Sequence, residues 1–336
     1  MLRGAVIGFG NVAANGHLPG WRRRGDVEIV AATDTAPARR DAFLAQCPNG
    51  RWYATPEALL ANEALDFADI CAPPGSHARL IVQALEAGLH VLCEKPLVTT
   101  MEDARLVRHA AARAGRAVHT VHNWLKAPIC LKISELIDAG AIGAVHSVAW
   151  RTLRTQPAIA AGPDGAANWR VDPRQAGGGI LFDHGWHALY CVARWAGRPR
   201  GVAARLETRR FHEWPLEDTA SVALDTAAGA GHIFLTWAAS ERSNHIEIEG
   251  AQGRISAVGD SVVVASKSNE RRFHCPPSLA VGSHHPDWFD AVAADFLAAA
   301  RAGGEGNLAE AMLCSSLIDL AQRSSAANGA RQALAD

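Results

Sequence analysis

The fold is indicated by residues 5–13, which read AVIGFGNVA. An apolar run ends at Gly8, and Gly8, Gly10 and Ala13 occupy the small-residue positions of a glycine turn between a strand and a helix. The first glycine allows a tight bend, and the second lets the backbone approach a pyrophosphate at the helix N-terminus. The stretch therefore predicts a dinucleotide-binding βαβ unit. The residues expected at the cofactor here are Gly8, Phe9, Gly10, Asn11 and Val12.

A carboxylate follows the second apolar run, at Asp34, about 20 residues beyond the glycine turn. At this spacing a carboxylate accepts hydrogen bonds from the adenine ribose hydroxyls and repels a 2′-phosphate. NAD is therefore predicted, and NADP is the less favoured cofactor. Arg39, also a candidate cofactor contact, and Arg40 keep the NADP alternative open. The other alternative is a glycine turn that binds no nucleotide.

Short apolar runs alternate with helix-like stretches over the first 120 residues, a pattern typical of βαβ units and a parallel sheet. Strands are predicted over residues 5–7, 27–33, 67–72, 90–93 and 117–121. Helices are predicted over residues 14–24, 37–46, 56–61, 76–87 and 101–114. The predicted fold class is α/β, with a Rossmann domain over residues 1–122.

The pattern changes after residue 121, and residues 123–336 are predicted to form a second domain. A helix over 127–139, a strand over 144–153, a Gly/Pro/Ala-rich loop over 156–178 and a helix over 179–195 come first. Extended runs then follow without helices between them, which predicts an antiparallel sheet. These runs are 201–209, 219–226, 231–238, 245–249, 254–257 and 261–265. Helices over 286–302 and 308–324 close the chain.

The charge balance excludes several classes of partner. Lys and Arg number 33 against 34 Asp and Glu, for a net charge of −1, which argues against nucleic acid and anionic membranes. The basic run at 22–24 is isolated and typical of a solvated helix end.

No stretch approaches the ~18 apolar residues of a membrane span, and residues 4–14 lack the pattern of a signal peptide. Seven scattered cysteines without a CxxC pair predict reduced thiols and a cytoplasmic location.

Glu94-Lys95-Pro96 closes the fourth predicted strand. In a doubly wound sheet, ligands bind outside the carboxyl ends of the strands, so Lys95 is expected to face the cleft. The alternative is an ordinary surface lysine.

Residues 177–187 read GGGILFDHGWH and carry the sharpest local signal. Asp183 and His187 are four residues apart and share one face of a helix, where a carboxylate beside an imidazole suits acid–base chemistry. The three glycines allow the helix to begin close to another backbone or a ligand. Two alternatives stay open: a helix-terminal Asp with a core His, or a metal site of Asp183, His184 and His187. The metal site lacks a further ligand at a characteristic spacing, and no metal is expected.

Taken together, these motifs resemble the glucose–fructose oxidoreductase, inositol dehydrogenase and rhizopine-catabolism family of NAD(P)-dependent oxidoreductases, from about residue 2 to residue 326. The features that carry the resemblance are the glycine turn at 8–13, Cys71-Ala72-Pro73-Pro74 with His77, Glu94-Lys95-Pro96, Trp169-Arg170, Gly177-Gly178-Gly179, Asp183 with His187, Glu217-Asp218-Thr219-Ala220, and Gly250-Ala251-Gln252-Gly253. The resemblance implies a C-terminal α/β domain with an open, mostly antiparallel sheet.

The resemblance also implies roles for individual residues. Lys95 would contact substrate and the nicotinamide ribose, His187 would be the catalytic acid–base, and Asp183 would bind substrate or orient His187. One departure is Tyr190, because the family often has an acidic residue three places after the histidine. Further residues expected at the cofactor cleft are Cys71, Ala72, Pro73, His77, Glu94 and Asn123.

The predicted reaction is hydride transfer between nicotinamide and a secondary alcohol or ketone of a sugar, polyol or cyclitol. The alternatives are a glycosidase or lyase with transient redox chemistry, and a non-catalytic nucleotide-binding regulator. Arg151, Arg154 and Arg170 either meet an acidic substrate or form structural ion pairs. Apolar groups on both faces of the run 231–238 favour a homodimer or homotetramer. The residues expected at the substrate are Lys95, Trp169, Arg170, Asp183, His184 and His187; Trp186 is expected near the cleft.

Overall fold

The computed structural model describes residues 1–159, 168–227, 229–267, 269–282 and 284–335. Strands and helices alternate through the first 120 residues. The strands are β1 (Leu2–Ile7), β2 (Val27–Thr33), β3 (Arg51–Tyr53), β4 (Phe67–Ile70), β5 (His90–Cys93) and β6 (Val118–Thr120). The helices between them are α1 (Leu18–Arg22), α2 (Arg39–Gln46), α3 (Pro56–Asn62), α4 (His77–Glu86) and α5 (Met101–Ala114).

The first sheet is parallel, with the strand order β3-β2-β1-β4-β5-β6. The order reverses direction between β1 and β4, and a dinucleotide binds at this switch point in a Rossmann sheet. The predicted α/β class and the Rossmann-like first domain are therefore confirmed.

Two details of the first domain differ from the sequence prediction. The strand β3 was not predicted, because it has only three residues, lies at the sheet edge, and contains the exposed Arg51. The predicted helix over 14–24 is not regular: a π-helical turn, Ala13–His17, precedes α1. Such turns change which side chains share a face.

The second sheet has nine strands in the described part of the chain. They are β7 (Val145–Leu153), β8 (Pro199–Glu207), β9 (Thr219–Thr226), β10 (Ala230–Thr236), β11 (Ser243–Gly250), β12 (Gly253–Val258), β13 (Ser261–Ser266), β14 (Asn269–His274) and β15 (Gln332–Ala333). Their order is β14-β13-β12-β11-β7-β10-β9-β8-β15. Every neighbouring pair is antiparallel except β7 and β10, so the mostly antiparallel sheet is confirmed.

The remaining helices are α6 (Pro128–Asp138), α7 (Pro173–Ala176), α8 (Trp186–Ala196), α9 (Pro286–Ala302) and α10 (Leu308–Ala326). Of the predicted loop over 156–178, residues 160–167 lie outside the described residues, and the remainder contains α7 and a short 3₁₀ turn, Trp169–Val171. The predicted helix over 179–195 begins with a π-helical turn, Leu181–Gly185, and becomes α-helical only at Trp186. No helix in the described ranges is both long and apolar enough to cross a bilayer.

The helix α9 packs within the core of the first sheet, although it follows the second sheet in sequence. Phe289 and Phe296 of α9 lie 5.2 and 6.4 Å from the ring of Trp21, and Phe296 also contacts Phe67. The chain therefore returns to the first domain before its end. The boundary at residues 122/123 stays a prediction.

One face of the second sheet is covered by α8 and α10, and the other face is open. Val222 and Leu224 of β9 point to the helices and are buried, whereas Ser221 and Ala223 point outward and are exposed. On the open face Phe234 is half-buried, near the guanidinium groups of Arg151 and Arg209.

Candidate active site

A cavity of about 190 Å³ lies between the two domains. Its lining combines residues after β1, β4, β5 and β6 with residues after β7 and in the segment that leads into α8. The sequence-predicted residues that line it are Val12, Cys71, Ala72, Glu94, Lys95, Asn123, Trp169, Arg170, Asp183, His184 and His187.

The glycine turn has the geometry that a dinucleotide needs. Gly8 has a φ of +92°, and a Cβ there would lie 2.6 Å from the backbone nitrogen of Ala72, so only glycine fits. At Gly10 an added Cβ would meet no heavy atom within 4 Å, which leaves the backbone open to a ligand. Phe9 instead turns into the core, 5.2 Å from the ring of Phe43. The turn therefore fits the predicted cofactor.

Asp34 follows β2 directly and is half-buried. Its Oδ1 accepts a hydrogen bond from the Ala36 N–H at 2.8 Å, which fixes the carboxylate in the turn. Arg39 begins α2, and Arg40 beside it is exposed. Asp34, Arg39 and Arg40 are therefore close in the chain, between the end of β2 and the start of α2.

Lys95 and Asp183 meet across the two domains. The Nζ of Lys95 donates to the main-chain oxygen of Asp183 at 2.8 Å and to its Oδ1 at 3.2 Å. Burial would raise the pKa of Asp183, but nearby His184 and Lys95 outweigh it and hold that pKa well below its usual range. The carboxylate is therefore ionised and holds the ammonium group in the cavity.

The imidazole of His187 is 5% exposed and held on two sides. Its ring stacks on Trp124 at 4.3 Å, and its Nδ1 lies 2.7 Å from the hydroxyl of Tyr190. Burial first, then the charge of Lys95, lowers the pKa of His187 well below 6.5, so the ring is neutral near pH 7. No hydrogen bond joins it to Asp183 among the described residues; the histidine is oriented by Trp124 and Tyr190.

A buried network behind Glu94 was not predicted from the sequence. Nδ1 of His17 lies 3.0 Å from both carboxylate oxygens of Asp69, and its Nε2 lies 3.1 Å from Oε1 of Glu94. Trp21 donates its indole N–H to Asp69 at 2.7 Å. Burial would lower the pKa of His17, but Asp69 and Cys71 outweigh it and raise that pKa well above 6.5. A signal was present: Asp69 is a charged residue inside an apolar strand.

The same network bears on metal binding. Of the described residues, His17, Asp69 and Cys71 bring possible ligand atoms within 4.8 Å of one another, and hydrogen bonds account for that closeness. Asp183, His184 and His187 form no such group in the described part of the chain. The alternative of a metal site at these residues therefore gains no support.

His77 is placed differently from the expected cleft lining. It is fully buried, and its two ring nitrogens face the main-chain oxygens of Ala72 at 2.7 Å and Pro96 at 2.8 Å. His77 thereby joins the main chain after Lys95 to the main chain after β4 and supports the position of Lys95. Pro73 is half-buried beside it but does not line the cavity.

The three glycines allow a close approach, as the sequence suggested. A Cβ on Gly179 would lie 1.8 Å from the main-chain oxygen of Glu217. That oxygen accepts the Ile180 N–H at 3.1 Å, and Oε1 of Glu217 accepts the Leu181 N–H at 3.1 Å. Glu217 therefore anchors the turn that carries Asp183. Trp186 is fully buried in the core and does not line the cavity, so its expected place near the cleft is wrong.

Comparison with known families agrees with this architecture. Residues 2–122 match the model of an oxidoreductase family with an NAD-binding Rossmann fold. Residues 130–256 match the model of the GFO/IDH/MocA C-terminal domain.

Individual proteins show the same likeness. D-glucoside 3-dehydrogenase of Escherichia coli is 31% identical over 190 residues, which are 56% of this chain and 52% of that protein. D-xylose 1-dehydrogenase (NADP(+)) 2 of Haloferax volcanii is 31% identical over 205 residues, 61% of this chain and 60% of that protein. The matches thus span only about half to three fifths of these relatives. Levoglucosan dehydrogenase in complex with NADH and L-sorbose shares the fold, with a TM-score of 0.86, 21% identity and coverage of 100% and 99% of the two chains.

Proposed function

Because the chain belongs to the glucose–fructose oxidoreductase, inositol dehydrogenase and rhizopine-catabolism (Gfo/Idh/MocA) family, we propose that it is an NAD(P)-dependent sugar dehydrogenase. It transfers hydride between the nicotinamide and a secondary alcohol of a sugar, polyol or cyclitol. The observation that carries the proposal is the meeting of Lys95 and Asp183, next to His187, in a cavity that Val12 of the glycine turn also lines.

The chain's own residues would divide the chemistry among them. When bound, the cofactor supplies the hydride acceptor. His187, neutral near pH 7, takes the hydroxyl proton of the substrate and returns it in the reverse direction. Lys95, held by Asp183, stabilises the negative charge that develops on the substrate oxygen. Burial of the site excludes water and strengthens this interaction.

NAD is the proposed cofactor, because the carboxylate of Asp34 disfavours a 2′-phosphate at the end of β2. NADP is the alternative, favoured by Arg39 and Arg40 close by, and one relative is named as an NADP enzyme.

The experiment is a screen of sugars, polyols and inositols for net formation of NADH, followed by its absorbance. Formation of NADH with one of these compounds supports the proposal. Turnover of a glycoside by tightly bound cofactor, without net NADH, would assign the chain to the transient-redox class instead. Binding of NAD with no turnover of any compound would favour a regulator.

Homodimers or homotetramers are proposed as the assembly, with the open face of the second sheet as the contact. That face carries Ser221, Ala223 and the half-buried Phe234. Light scattering at micromolar protein measures the mass of the assembly, and a monomeric mass would contradict the proposed oligomer.

A cytoplasmic location is proposed because all seven cysteines are free thiols.

A further inference from the structure

The cavity carries more positive charge than its acidic groups balance. Its charged lining consists of Lys95, Arg154, Arg170, Arg242, Glu94 and Asp183, together with His17. Asp183 is paired with Lys95 at 3.2 Å, and Glu94 with His17 at 3.1 Å. Among the described residues, no carboxylate lies within ion-pair distance of any of the three arginines. Within the described part of the chain, none of the three guanidinium groups therefore has a directly paired counter-ion.

Arg154 is the most buried of the three, at 1% exposure. Its Nη1 donates to the main-chain oxygens of Leu153 at 2.7 Å and Ser243 at 2.9 Å, and its Nη2 donates to Oδ1 of Asn244 at 2.8 Å and the main-chain oxygen of Leu279 at 3.4 Å. All these partners are neutral, and the buried Nε has none. Burial, and then Arg242 nearby, lowers the pKa of Arg154 to about 9. A buried cation without a counter-ion is destabilising unless a ligand supplies one.

The other two guanidinium groups are held in place without being neutralised. Arg170 lies 4.4 Å from the ring of Trp169, and its buried Nε has no partner. Arg242 donates to the main-chain oxygens of Ala280 at 2.5 Å and Gly282 at 3.3 Å. Fixed side chains lose little freedom when a ligand binds, which favours affinity.

The expected cofactor phosphates do not account for these charges. A pyrophosphate is expected at the glycine turn of the first domain. The arginines come from the second domain: Arg154 follows β7, Arg242 precedes β11, and Arg170 lies in a 3₁₀ turn before α7. The positive charge of Arg170 lowers the pKa of Asp183. The negative charge of Asp183 in turn opposes the lowering of the pKa of Arg154 and Arg242 by burial. The positive groups therefore surround the proposed catalytic end of the cavity.

We propose that the substrate carries an oxyanion, a carboxylate or a phosphate, in addition to the hydroxyl that is oxidised, and that Arg170 and Arg242 bind this group beside the positive charge of Arg154. The inference rests on the proposed function and narrows its substrate class from sugars in general to sugar acids or sugar phosphates. The planar guanidinium group forms paired hydrogen bonds with either oxyanion.

The test compares aldonates, uronates and sugar phosphates, each with its neutral parent sugar or polyol, as substrates with NAD. We expect kcat/KM for an anionic substrate to exceed that for its neutral parent by about 10-fold or more. The carboxylate and phosphate arms of the panel distinguish the two oxyanions. A neutral compound as the best substrate of the panel would overturn the inference and leave the proposed dehydrogenase function intact.

Arg170→Met is the first variant, because Arg170 is half-buried and donates no side-chain hydrogen bond to the described residues. It should lower kcat/KM for the anionic substrate by about 10-fold more than it lowers kcat/KM for the neutral parent. Arg105→Met is the matched control, since Arg105 is exposed on α5 and outside the cavity lining, and it should change neither value. Equal losses for anionic and neutral compounds would contradict the inference.

A binding measurement separates this inference from the proposed function. If no compound is turned over, the dehydrogenase proposal fails. Calorimetric titration of the NADH-loaded protein with the same anions then tests the oxyanion site by itself. Binding of an anion that Arg170→Met weakens supports the site. Absence of binding by every anion in the panel overturns it.

Discussion

The hydroxyl of Tyr190 lies 2.7 Å from Nδ1 of His187, and the main-chain N–H of Trp124 donates to that same hydroxyl at 3.0 Å. A phenol oxygen has two lone pairs, so it can accept from the Trp124 N–H and from Nδ1–H of His187 together. A neutral imidazole that takes a proton from the substrate carries its hydrogen on Nδ1 and leaves Nε2 free. Tyr190 thus orients the proposed acid–base group in the tautomer that alcohol oxidation needs.

Tyr190→Asp should therefore change the pH profile of alcohol oxidation. A carboxylate accepts Nδ1–H, raises the pKa of His187 and leaves Nε2 free to accept the substrate proton. Since oxidation needs the neutral ring, the acidic limb of kcat/KM should move to higher pH than in the wild-type protein, where the pKa of His187 is well below 6.5. Tyr190→Phe is the control, because it removes the hydroxyl without adding charge. Coincident profiles for Tyr190→Asp and the wild type would show that Tyr190 does not act through His187.

His187→Ala tests the acid–base role itself. Loss of the proton acceptor should lower kcat by roughly 10²–10⁴. The dissociation constant for NAD should stay nearly unchanged, since the imidazole is proposed to face the substrate. Steady-state kinetics and cofactor titration measure the two effects. A folded variant with near-normal kcat would mean that the segment is structural, and the acid–base group would then be sought first at His184 or Tyr190.

The sequence predicts the fold well because each decisive element has a local cause. Gly8 has a positive φ, and a Cβ on Gly179 would clash with the main chain of Glu217. Both positions therefore require glycine, and the sequence shows a glycine at each. The orientation of His187 is different. It depends on Trp124 stacking from another segment and on the π-helical turn before α8, neither of which a helical periodicity reveals.

The sequence predicts the charge of the cavity only in part, because it indicates Arg154 and Arg170 as possible contacts of an acidic substrate but not Arg242. Arg154 and Arg242 are far apart in the chain, and only the sheet brings both guanidinium groups to the cavity. Likewise, the contact between His17 and Glu94 joins the π-helical turn before α1 to the end of β5, 77 residues further along the chain. Local patterns indicate which residues carry chemistry, while long-range packing decides their partners.

Cofactor preference is expected to depend on Asp34. The wild-type protein should have the higher kcat/KM with NAD, and Asp34→Ser should reduce the NAD-to-NADP ratio by about 10-fold, because it removes the repulsion of a 2′-phosphate. Arg39→Ala provides the comparison and should leave the wild-type preference in place. A clear NADP preference of the wild-type protein would overturn the role of Asp34 and indicate Arg39 or Arg40 as the phosphate ligand.

Lys95 and Asp183 should differ in their effect on the cofactor. Lys95→Ala removes the cation and is expected to lower kcat by about 10²–10³ and to weaken NAD binding, since Lys95 is proposed to touch both ligands. In Asp183→Asn, Nζ keeps its 2.8 Å bond to the main-chain oxygen of residue 183, so NAD affinity should be preserved while turnover falls. Fluorescence titration with NADH measures affinity, and kcat is measured in parallel. Equal loss of NADH affinity in both variants would show that Asp183, not only its main chain, is needed to hold Lys95.

The last prediction concerns the stability that the buried His17 contributes. Its pKa in the folded protein is well above 6.5, because Asp69 and Cys71 outweigh the effect of burial, and Glu94 faces its other nitrogen. A group whose pKa is raised on folding stabilises the protein fully below its unfolded pKa, about 6.5 for histidine, and the contribution is lost as pH rises through the folded pKa.

The free energy of unfolding of the wild-type protein should therefore exceed that of His17→Gln most at pH 6, and the difference should shrink as pH rises above 6.5 towards the folded pKa. Denaturant unfolding across pH 6 to 9 measures the difference. His109→Gln, at an exposed position on α5, should show no comparable trend. If the hydrogen bonds alone hold His17, Asp69 and Cys71 together, a chelator should leave both unfolding curves unchanged. A difference between wild type and His17→Gln that stays constant or grows from pH 6 to 9 would contradict a charged His17. A constant difference would mean that folding does not shift the pKa of His17, and a growing one would mean that the folded imidazole is neutral.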